Sequence, residues 1–261
     1  AVAACMRWRL RPVDRIIAPT KKVERTFLSY GVQKKTAIIP TGIKLEAFTK
    51  PVSQEVLEGL REECGIRPGV RVVLSLGRLG FEKKVDELLY GWKEAGIPRE
   101  EAMLLIVGGG PAEGSLRTLS QELGLSDRVC FYGMAKPEMV PAFYQLADVF
   151  VCASTSETQG LTYVEALASG LPLVCRRDPC LAGVLEHGKN GYSFRERAEF
   201  GSYVKEILFH KEKRQKMSAC SRELAKVFGT ESFGRAVNDL YKKEVRLHEG
   251  TFVFEESEAA F

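Results

Sequence analysis

STSETQGLTYVEALASGLP, at residues 154–172, is the stretch of sequence that decides the fold. It follows an apolar run typical of a strand, at residues 147–152, and it opens with small and polar residues. From Thr162 onward the apolar residues recur at helical spacing, and Gly170 and Pro172 are typical of a helix end. The pattern therefore predicts a strand, a loop and a helix N-terminus. Unpaired N–H groups and the positive end of the helix dipole make such an N-terminus favourable for phosphate.

Two carboxylates, Glu157 and Glu165, lie in this stretch with seven residues between them. Eight helical steps rise about 12 Å, whereas the carboxylates of a retaining glycosidase lie about 5 Å apart. The spacing suits two acids that bind different parts of one extended ligand, such as a sugar nucleotide. Two acids at this spacing are more commonly solvated carboxylates on a helix surface. The neighbouring residues therefore have to distinguish that explanation from a ligand site.

Strand and helix patterns alternate along the rest of the chain. Strands are predicted at residues 14–19, 36–39, 72–76, 103–107, 129–132, 149–152 and 172–175, and helices at residues 21–30, 84–94, 112–123, 141–147, 162–169, 203–210, 212–226 and 231–248. Apolar, β-branched strands that alternate with helices indicate a parallel sheet covered on both faces. The predicted fold class is α/β, a Rossmann-like parallel sheet with helices on both faces, and ligands bind such sheets at the carboxyl ends of the strands.

A second motif, LGRLGFEKK at residues 76–84, follows a predicted strand and precedes a predicted helix. Gly77 allows a ligand to approach the backbone, while Arg78 and Lys83 carry the cations that pair with a diphosphate. Cations of this kind can stabilise the negative charge that develops on a departing diphosphate. Without further context, two solvated loop cations explain the motif equally well. The sequence contains no Asp-x-Asp pair, so it does not predict a metal site.

Together these motifs resemble the family 4 glycosyltransferases, which are retaining enzymes of the GT-B fold. Their C-terminal, donor-binding domain carries the two acids matched by Glu157 and Glu165, and a GRL-x-x-x-K loop matched by Arg78 and Lys83. The segment ETQGLT, at residues 157–162, is most similar to the corresponding segment of the bacterial diacylglycerol glucosyltransferases. One position departs from the family pattern, because Lys84 stands where a glycine is common.

The resemblance implies a role for each motif residue. The implied catalytic residues are Glu157, Arg78 and Lys83, and the implied substrate-binding residues are Gly77, Met134, Gly160, Leu161, Thr162 and Glu165. Arg78 and Lys83 hold the donor diphosphate together with N–H groups of the helix N-terminus. Glu165 binds the ribose hydroxyls, Glu157 contacts the transferred hexose, and Met134 contacts the uracil base. The resemblance implies no cofactor and no metal, since the UDP-sugar is a substrate.

The resemblance also implies a reaction and a domain organisation. The reaction is the retaining transfer of a hexose, glucose, from a UDP-sugar to a lipid acceptor, 1,2-diacylglycerol, at the cytoplasmic face of the bacterial cell membrane. Residues 1–40 are expected to be a remnant of the acceptor domain and crossover, residues 41–230 the donor domain, and residues 231–261 a C-terminal helix and acidic tail. We expect the chain to be inactive without an acceptor domain. A soluble or polysaccharide acceptor, or a non-catalytic sugar-nucleotide-binding module, remain the alternatives.

The composition excludes several other classes of protein. Across 261 residues the formal net charge is only +4, which is not typical of a nucleic-acid-binding protein. No run approaches the roughly 20 apolar residues of a membrane span. Seven cysteines without a CxxC pair indicate a reduced, cytosolic protein. MRWRLR at residues 6–11 alternates basic and apolar residues. This pattern suits contact with an anionic membrane, but the end of a helix is the simpler explanation, and we prefer it.

Overall fold

The computed structural model describes the backbone of residues 1–258 and the side chains of residues 1–247. The strands are β1 (Arg15–Ala18), β2 (Lys35–Ile38), β3 (Arg71–Leu76), β4 (Ala102–Val107), β5 (Val129–Gly133), β6 (Val149–Cys152), β7 (Leu173–Arg176) and β8 (Gly191–Phe194). The helices are α1 (Val2–Arg9), α2 (Lys21–Ser29), α3 (Glu46–Thr49), α4 (Gln54–Glu63), α5 (Val85–Ala95), α6 (Glu113–Glu122), α7 (Val140–Leu146), α8 (Leu161–Ala168), α9 (Arg197–Phe209), α10 (Lys211–Ala225) and α11 (Thr230–Glu258). The end of the predicted acidic tail, residues 259–261, lies outside the described residues.

The chain forms two compact units, one from residues 43–226 and one from residues 1–42 together with the segment that begins at residue 227. The smaller unit contains a two-stranded parallel sheet of β1 and β2. The expectation that residues 1–40 are a remnant of an acceptor domain stays a prediction. Among the described helices, none combines the length and the apolar character that crossing a membrane requires.

The larger unit is built on a six-stranded parallel sheet in the order β5-β4-β3-β6-β7-β8. This arrangement confirms the predicted α/β class. The chain builds the sheet outward from β3 to β5, and it then returns to the other side of β3 and continues to β8. The order therefore reverses between β3 and β6, and this switch point is where such sheets bind ligands.

Apolar burial explains why these segments form the sheet and its helical layers. Val72, Val73 and Leu74 in β3 are completely buried, as expected for a central strand covered on both faces. Trp92 of α5 is also fully buried, and its indole N–H donates to the backbone oxygen of Arg128 at 3.1 Å. A buried indole N–H without such an acceptor would destabilise the fold.

The predicted strands all form, with bounds that differ by one or two residues, and four helices differ from the predictions. Helix α3 was not predicted, and α11 ends at residue 258 instead of residue 248. Helix α4 was not predicted; Ser53 caps it through the N–H of Val56, and Leu60 is its single buried residue. Helix α9 begins at residue 197, six residues before its predicted start. Its N-terminus is a capping box in which a glutamate, Glu196, takes the position that Ser or Thr usually occupies.

Glycine-to-alanine substitutions in two helices should have opposite effects on stability. A Cβ at Gly91 of α5 would lie 2.6 Å from Cδ1 of Phe200 in α9. We expect Gly91→Ala to lower the free energy of unfolding by about 1–3 kcal/mol, because the packed helices would have to separate. The matched control is Gly59→Ala in α4, where a Cβ meets nothing within 4 Å. Helix propensity should make Gly59→Ala stabilising by about 0.5–1 kcal/mol. Urea denaturation of both variants measures the difference, and equal effects would contradict the packing argument.

Candidate functional site

The candidate site lies at the switch point of the sheet, where the loops after β3 and β6 meet. Val73 pairs with Val149 and Leu74 with Phe150, so the carboxyl ends of the two strands are neighbours. A cavity of about 210 Å³ lies between the two loops. Six predicted site residues line it, namely Gly77, Arg78, Lys83, Glu157, Leu161 and Thr162. The two motifs, which are some 70 residues apart in sequence, thus form one site.

Close backbone contact fixes the floor of this site. A Cβ at Gly108, after β4, would lie 1.9 Å from the backbone oxygen of Gly77, after β3, and Gly108 has a φ of +134°. The N–H of Leu79 donates to the backbone oxygen of Gly109 at 2.9 Å, which joins the same two loops. No side chain fits between the glycines, so the loop after β3 is held against the loop after β4.

Gly160 fixes the start of helix α8 beside the cavity. Its φ is +72°, and a Cβ at this position would lie 2.4 Å from the ring of Tyr163. Only glycine fits both constraints without strain. The first N–H groups of α8, from Leu161 and Thr162, follow directly, and the first N–H groups of a helix have no partner within it.

An ion pair between Lys83 and Glu157 joins the two motifs inside the site. Lys83 Nζ lies 2.5 Å from Glu157 Oε1, and the two side chains are 26% and 16% exposed. The cation expected to bind a diphosphate is therefore held by the acid expected to contact the hexose. An incoming diphosphate would compete with Glu157 for the ammonium group.

Arg78 is likewise paired with an acid, but in a more exposed position. Its guanidinium forms an ion pair with Glu82, four residues later, and both side chains are largely exposed. Exposed pairs of this kind contribute little to stability, so Arg78 can leave Glu82 at little cost. Glu82 has no role implied by the family resemblance, although it lies within the GRL-x-x-x-K loop.

Glu165 and Met134 do not line the cavity. Glu165 lies further along α8, where its carboxylate accepts a hydrogen bond of 2.7 Å from the hydroxyl of Tyr144 in α7. Burial raises the pKa of Glu165, and the hydrogen bond from Tyr144 lowers it in part. Met134 follows β5, two strands away from β3, and is 82% exposed. The roles assigned to these two residues stay predictions.

Lys84 has an unusual backbone conformation at the edge of the site. Its φ is +52°, and it is the only non-glycine residue with a positive φ in the part of the chain that the structure describes. It joins a short 3₁₀ helix (Phe81–Lys83) to α5. This geometry explains in physical terms why glycine suits the position where this chain departs from the resembling family.

Both site motifs lie in a stretch of the chain that matches a known protein family. The profile described as "Glycosyl transferases group 1" matches residues 58–224, well over half of the chain. The chain belongs to this family. The resemblance predicted from the E-x7-E and GRL-x-x-x-K motifs is therefore confirmed, and both motifs lie within the matched residues of this group 1 glycosyltransferase.

Two curated relatives are alpha-monoglucosyldiacylglycerol synthases. The protein from Streptococcus pneumoniae is 33% identical over 237 residues, which cover 90% of this chain and 53% of that protein. The protein from Acholeplasma laidlawii is 32% identical over 226 residues, which cover 86% of this chain and 57% of that protein. The chain therefore spans just over half the length of these relatives. The predicted similarity to diacylglycerol glucosyltransferases is confirmed.

A solved structure shares the fold. The Anabaena protein HepE, crystallised in complex with UDP and glucose, superimposes with a TM-score of 0.81 at 20% sequence identity. The match covers 92% of this group 1 glycosyltransferase chain and 67% of the Anabaena chain. At this identity the likeness supports the architecture of the GT-B class.

Replacing Lys84 should reveal strain stored beside the site. A non-glycine residue in the left-handed region costs about 1–2 kcal/mol. We expect Lys84→Gly to raise the free energy of unfolding by up to about 1 kcal/mol, since the larger entropy of glycine in the unfolded chain offsets part of this gain. Lys84→Ala is the control, because it keeps the Cβ and removes only the weak pairing of Lys84 with Glu87 at 3.9 Å. Equal stabilisation by both substitutions, measured by urea denaturation, would exclude backbone strain as the cause.

Proposed function

We propose that this chain binds UDP-glucose for a retaining hexosyl transfer whose acceptor is a lipid, 1,2-diacylglycerol. The observation that carries the proposal is the contact between Lys83 and Glu157, because it joins the two motif loops in one cavity at the carboxyl edge of the sheet. The two relatives named for glucosyldiacylglycerol synthesis support glucose as the transferred sugar and a lipid as the acceptor. The Anabaena structure with UDP and glucose supports the same class of donor.

In this proposal the donor replaces acids as the partner of the site cations. The diphosphate takes Lys83 from Glu157 and Arg78 from Glu82, and the N–H groups at the start of α8 complete its binding. Glu157 is then free to accept a hydrogen bond from a hexose hydroxyl. The leaving diphosphate is stabilised by these groups as its charge develops, and we propose no metal and no cofactor.

We further propose that the transfer itself belongs to a longer protein. The chain spans 53% and 57% of its two glucosyldiacylglycerol synthase relatives. Residues 41–230 would supply the donor domain, and acceptor-binding residues would come from outside them. The purified 261-residue chain should then bind the donor but transfer no sugar.

Peripheral contact with the inner face of the cell membrane is the last part of the proposal. Residues 1–42 contain nine lysine and arginine residues against two acidic ones. Trp8 is 70% exposed beside Arg7 and Arg11, and these residues line a groove of about 430 Å³. Cations with an exposed aromatic ring suit an anionic lipid surface.

Three substitutions should separate the roles of the site residues. A charge-assisted hydrogen bond contributes about 1.5–3 kcal/mol, which is roughly ten-fold or more in affinity. Glu165→Gln should weaken uridine, UDP and UDP-glucose alike, because all three contain the ribose. Glu157→Gln should weaken UDP-glucose only, and it should leave UDP unchanged or tighter, because Lys83 loses a competing partner. Arg78→Ala should weaken the two diphosphates and spare uridine. Calorimetry of the folded variants measures each affinity.

The same measurements can contradict the assignment. Equal losses of UDP affinity in Glu157→Gln and Glu165→Gln would show that the two acids do not bind different parts of the donor. If neither substitution changes any affinity, neither acid binds the donor, and the contacts of Glu157 with Lys83 and of Glu165 with Tyr144 are structural only. GDP-mannose serves as a control for the base, and binding as tight as that of UDP-glucose would exclude selection of uracil.

Membrane contact should depend on salt and on the basic N-terminal segment. We expect the chain to co-sediment with phosphatidylglycerol vesicles at low salt and to release as salt rises, because added ions screen the surface charges. Replacing Arg7, Arg9 and Arg11 with glutamine should remove most of the binding.

The matched control removes three exposed charges from the other unit, by Lys205→Gln, Lys211→Gln and Lys216→Gln together. This triple variant has the same net charge and should still bind the vesicles. Equal losses in the two triple variants would point to net charge rather than to a docking surface. Binding that does not respond to salt would remove the electrostatic role.

A further inference from the structure

Tyr144 is a fully buried tyrosine in the apolar helix α7, and its hydroxyl faces a carboxylate. Its side chain is 0% exposed, and the hydroxyl lies 2.7 Å from Glu165 Oε2 and 3.3 Å from the backbone oxygen of Thr162. A hydroxyl has one proton to donate, and the shorter distance to a charged acceptor favours Glu165. Burial of a hydroxyl is costly unless it has such a partner.

We propose that Tyr144 is a positioning residue for the donor: its hydroxyl holds the Glu165 carboxylate ionised and oriented, so that Oε1 remains available to the ribose hydroxyls. The proposal rests on the proposed function, in which Glu165 binds the ribose. Tyr144 itself does not contact the donor. It acts through the second oxygen of the carboxylate, which would otherwise have to be solvated in a largely buried position.

The ring of Tyr144 is held by aromatic packing on two sides. Phe48 of α3 meets it edge-on at 5.7 Å between ring centroids, and Phe150 of β6 lies at 6.0 Å. Both contacts come from the same compact unit as the site. The direction of the hydroxyl is therefore set by the fold before any ligand arrives, which reduces the entropy that binding would cost.

The electrostatics of the pair agree with this geometry. Burial raises the pKa of Glu165, and Tyr144 of α7 is the titratable group that faces it and lowers that pKa in part. Burial, and then the charge of Glu165 and the nearby Cys152 of β6, raise the pKa of Tyr144 well above its usual range. Tyr144 therefore stays protonated as a donor, and it extends the ionised range of Glu165 toward lower pH.

Tyr163 provides a matched control for the loss of one buried hydroxyl. It lies in α8, its side chain is 1% exposed, and its hydroxyl lies 3.2 Å from Cys152 Sγ instead of a carboxylate. Tyr163→Phe removes the same atom from an equally buried ring near the same site. Any effect that Tyr144→Phe has and Tyr163→Phe lacks belongs to the contact with Glu165.

The first test is UDP-glucose affinity between pH 5 and pH 8, measured by calorimetry. UDP-glucose is suitable because both of its phosphates are esterified and do not titrate in this range. Tyr144→Phe should weaken binding on the order of ten-fold, and it should move the acid loss of binding to higher pH. Tyr163→Phe should match the wild type. With Glu165→Gln already present, Tyr144→Phe should cause no further loss.

The second test needs no ligand. Because burial already raises the pKa of Glu165 in the fold, its ionisation opposes folding, and removing the Tyr144 hydroxyl increases that opposition as the pH rises. The loss of Tm caused by Tyr144→Phe should therefore be larger at pH 8 than at pH 5. In the Glu165→Gln background this pH dependence should disappear.

These outcomes distinguish failure of this proposal from failure of the proposed function. If Glu165→Gln alone leaves UDP-glucose affinity unchanged, Glu165 does not bind the ribose. The positioning role of Tyr144, which depends on that binding, is then wrong as well. If Glu165→Gln weakens binding but Tyr144→Phe does not shift the pH profile, only the positioning role is overturned. An effect of Tyr144→Phe that persists in the Glu165→Gln background would overturn it as well.

Discussion

Strands β3 and β6 share only two residue pairs, Val73 with Val149 and Leu74 with Phe150, yet the candidate site depends on this contact. Because the two strands are parallel neighbours, the loops that leave their carboxyl ends have to meet. A motif of cations follows one strand and a motif of acids follows the other, so the sheet order itself creates the contact between Lys83 and Glu157. The glycines at residues 77 and 108 then hold the first loop against β4.

Lys83 and Glu157, the charges expected to bind the donor, neutralise each other. A half-buried ammonium without a counter-ion would destabilise the fold, and Glu157 supplies that counter-ion at 2.5 Å. The same arrangement holds both side chains near the places where a sugar diphosphate would need them. Binding then becomes an exchange of partners rather than the burial of new charge.

Much of the fold could be predicted from sequence because apolar periodicity reports which segments are buried. The strand predictions covered every strand of the larger sheet except β8. Helix α4 buries only Leu60, so its periodic signal is faint, and the start of α9 depends on a glutamate that seldom caps a helix. Within the site, contiguous motifs located the loops correctly. The link between Tyr144 and Glu165 could not be predicted, because it depends on how α7 packs against α8.

The pairing of Lys83 with Glu157 would have a consequence for the proposed sugar transfer. In the proposed function, once a hexose has left the donor, the remaining diphosphate would still occupy Lys83, but Glu157 would have lost its sugar partner and would lie unpaired in a half-buried position. Return of Lys83 to Glu157 would remove that penalty and loosen the nucleotide. The resting ion pair would thus favour product release and limit inhibition by the spent nucleotide, so that one contact serves both the arrival of the donor and the departure of what is left of it.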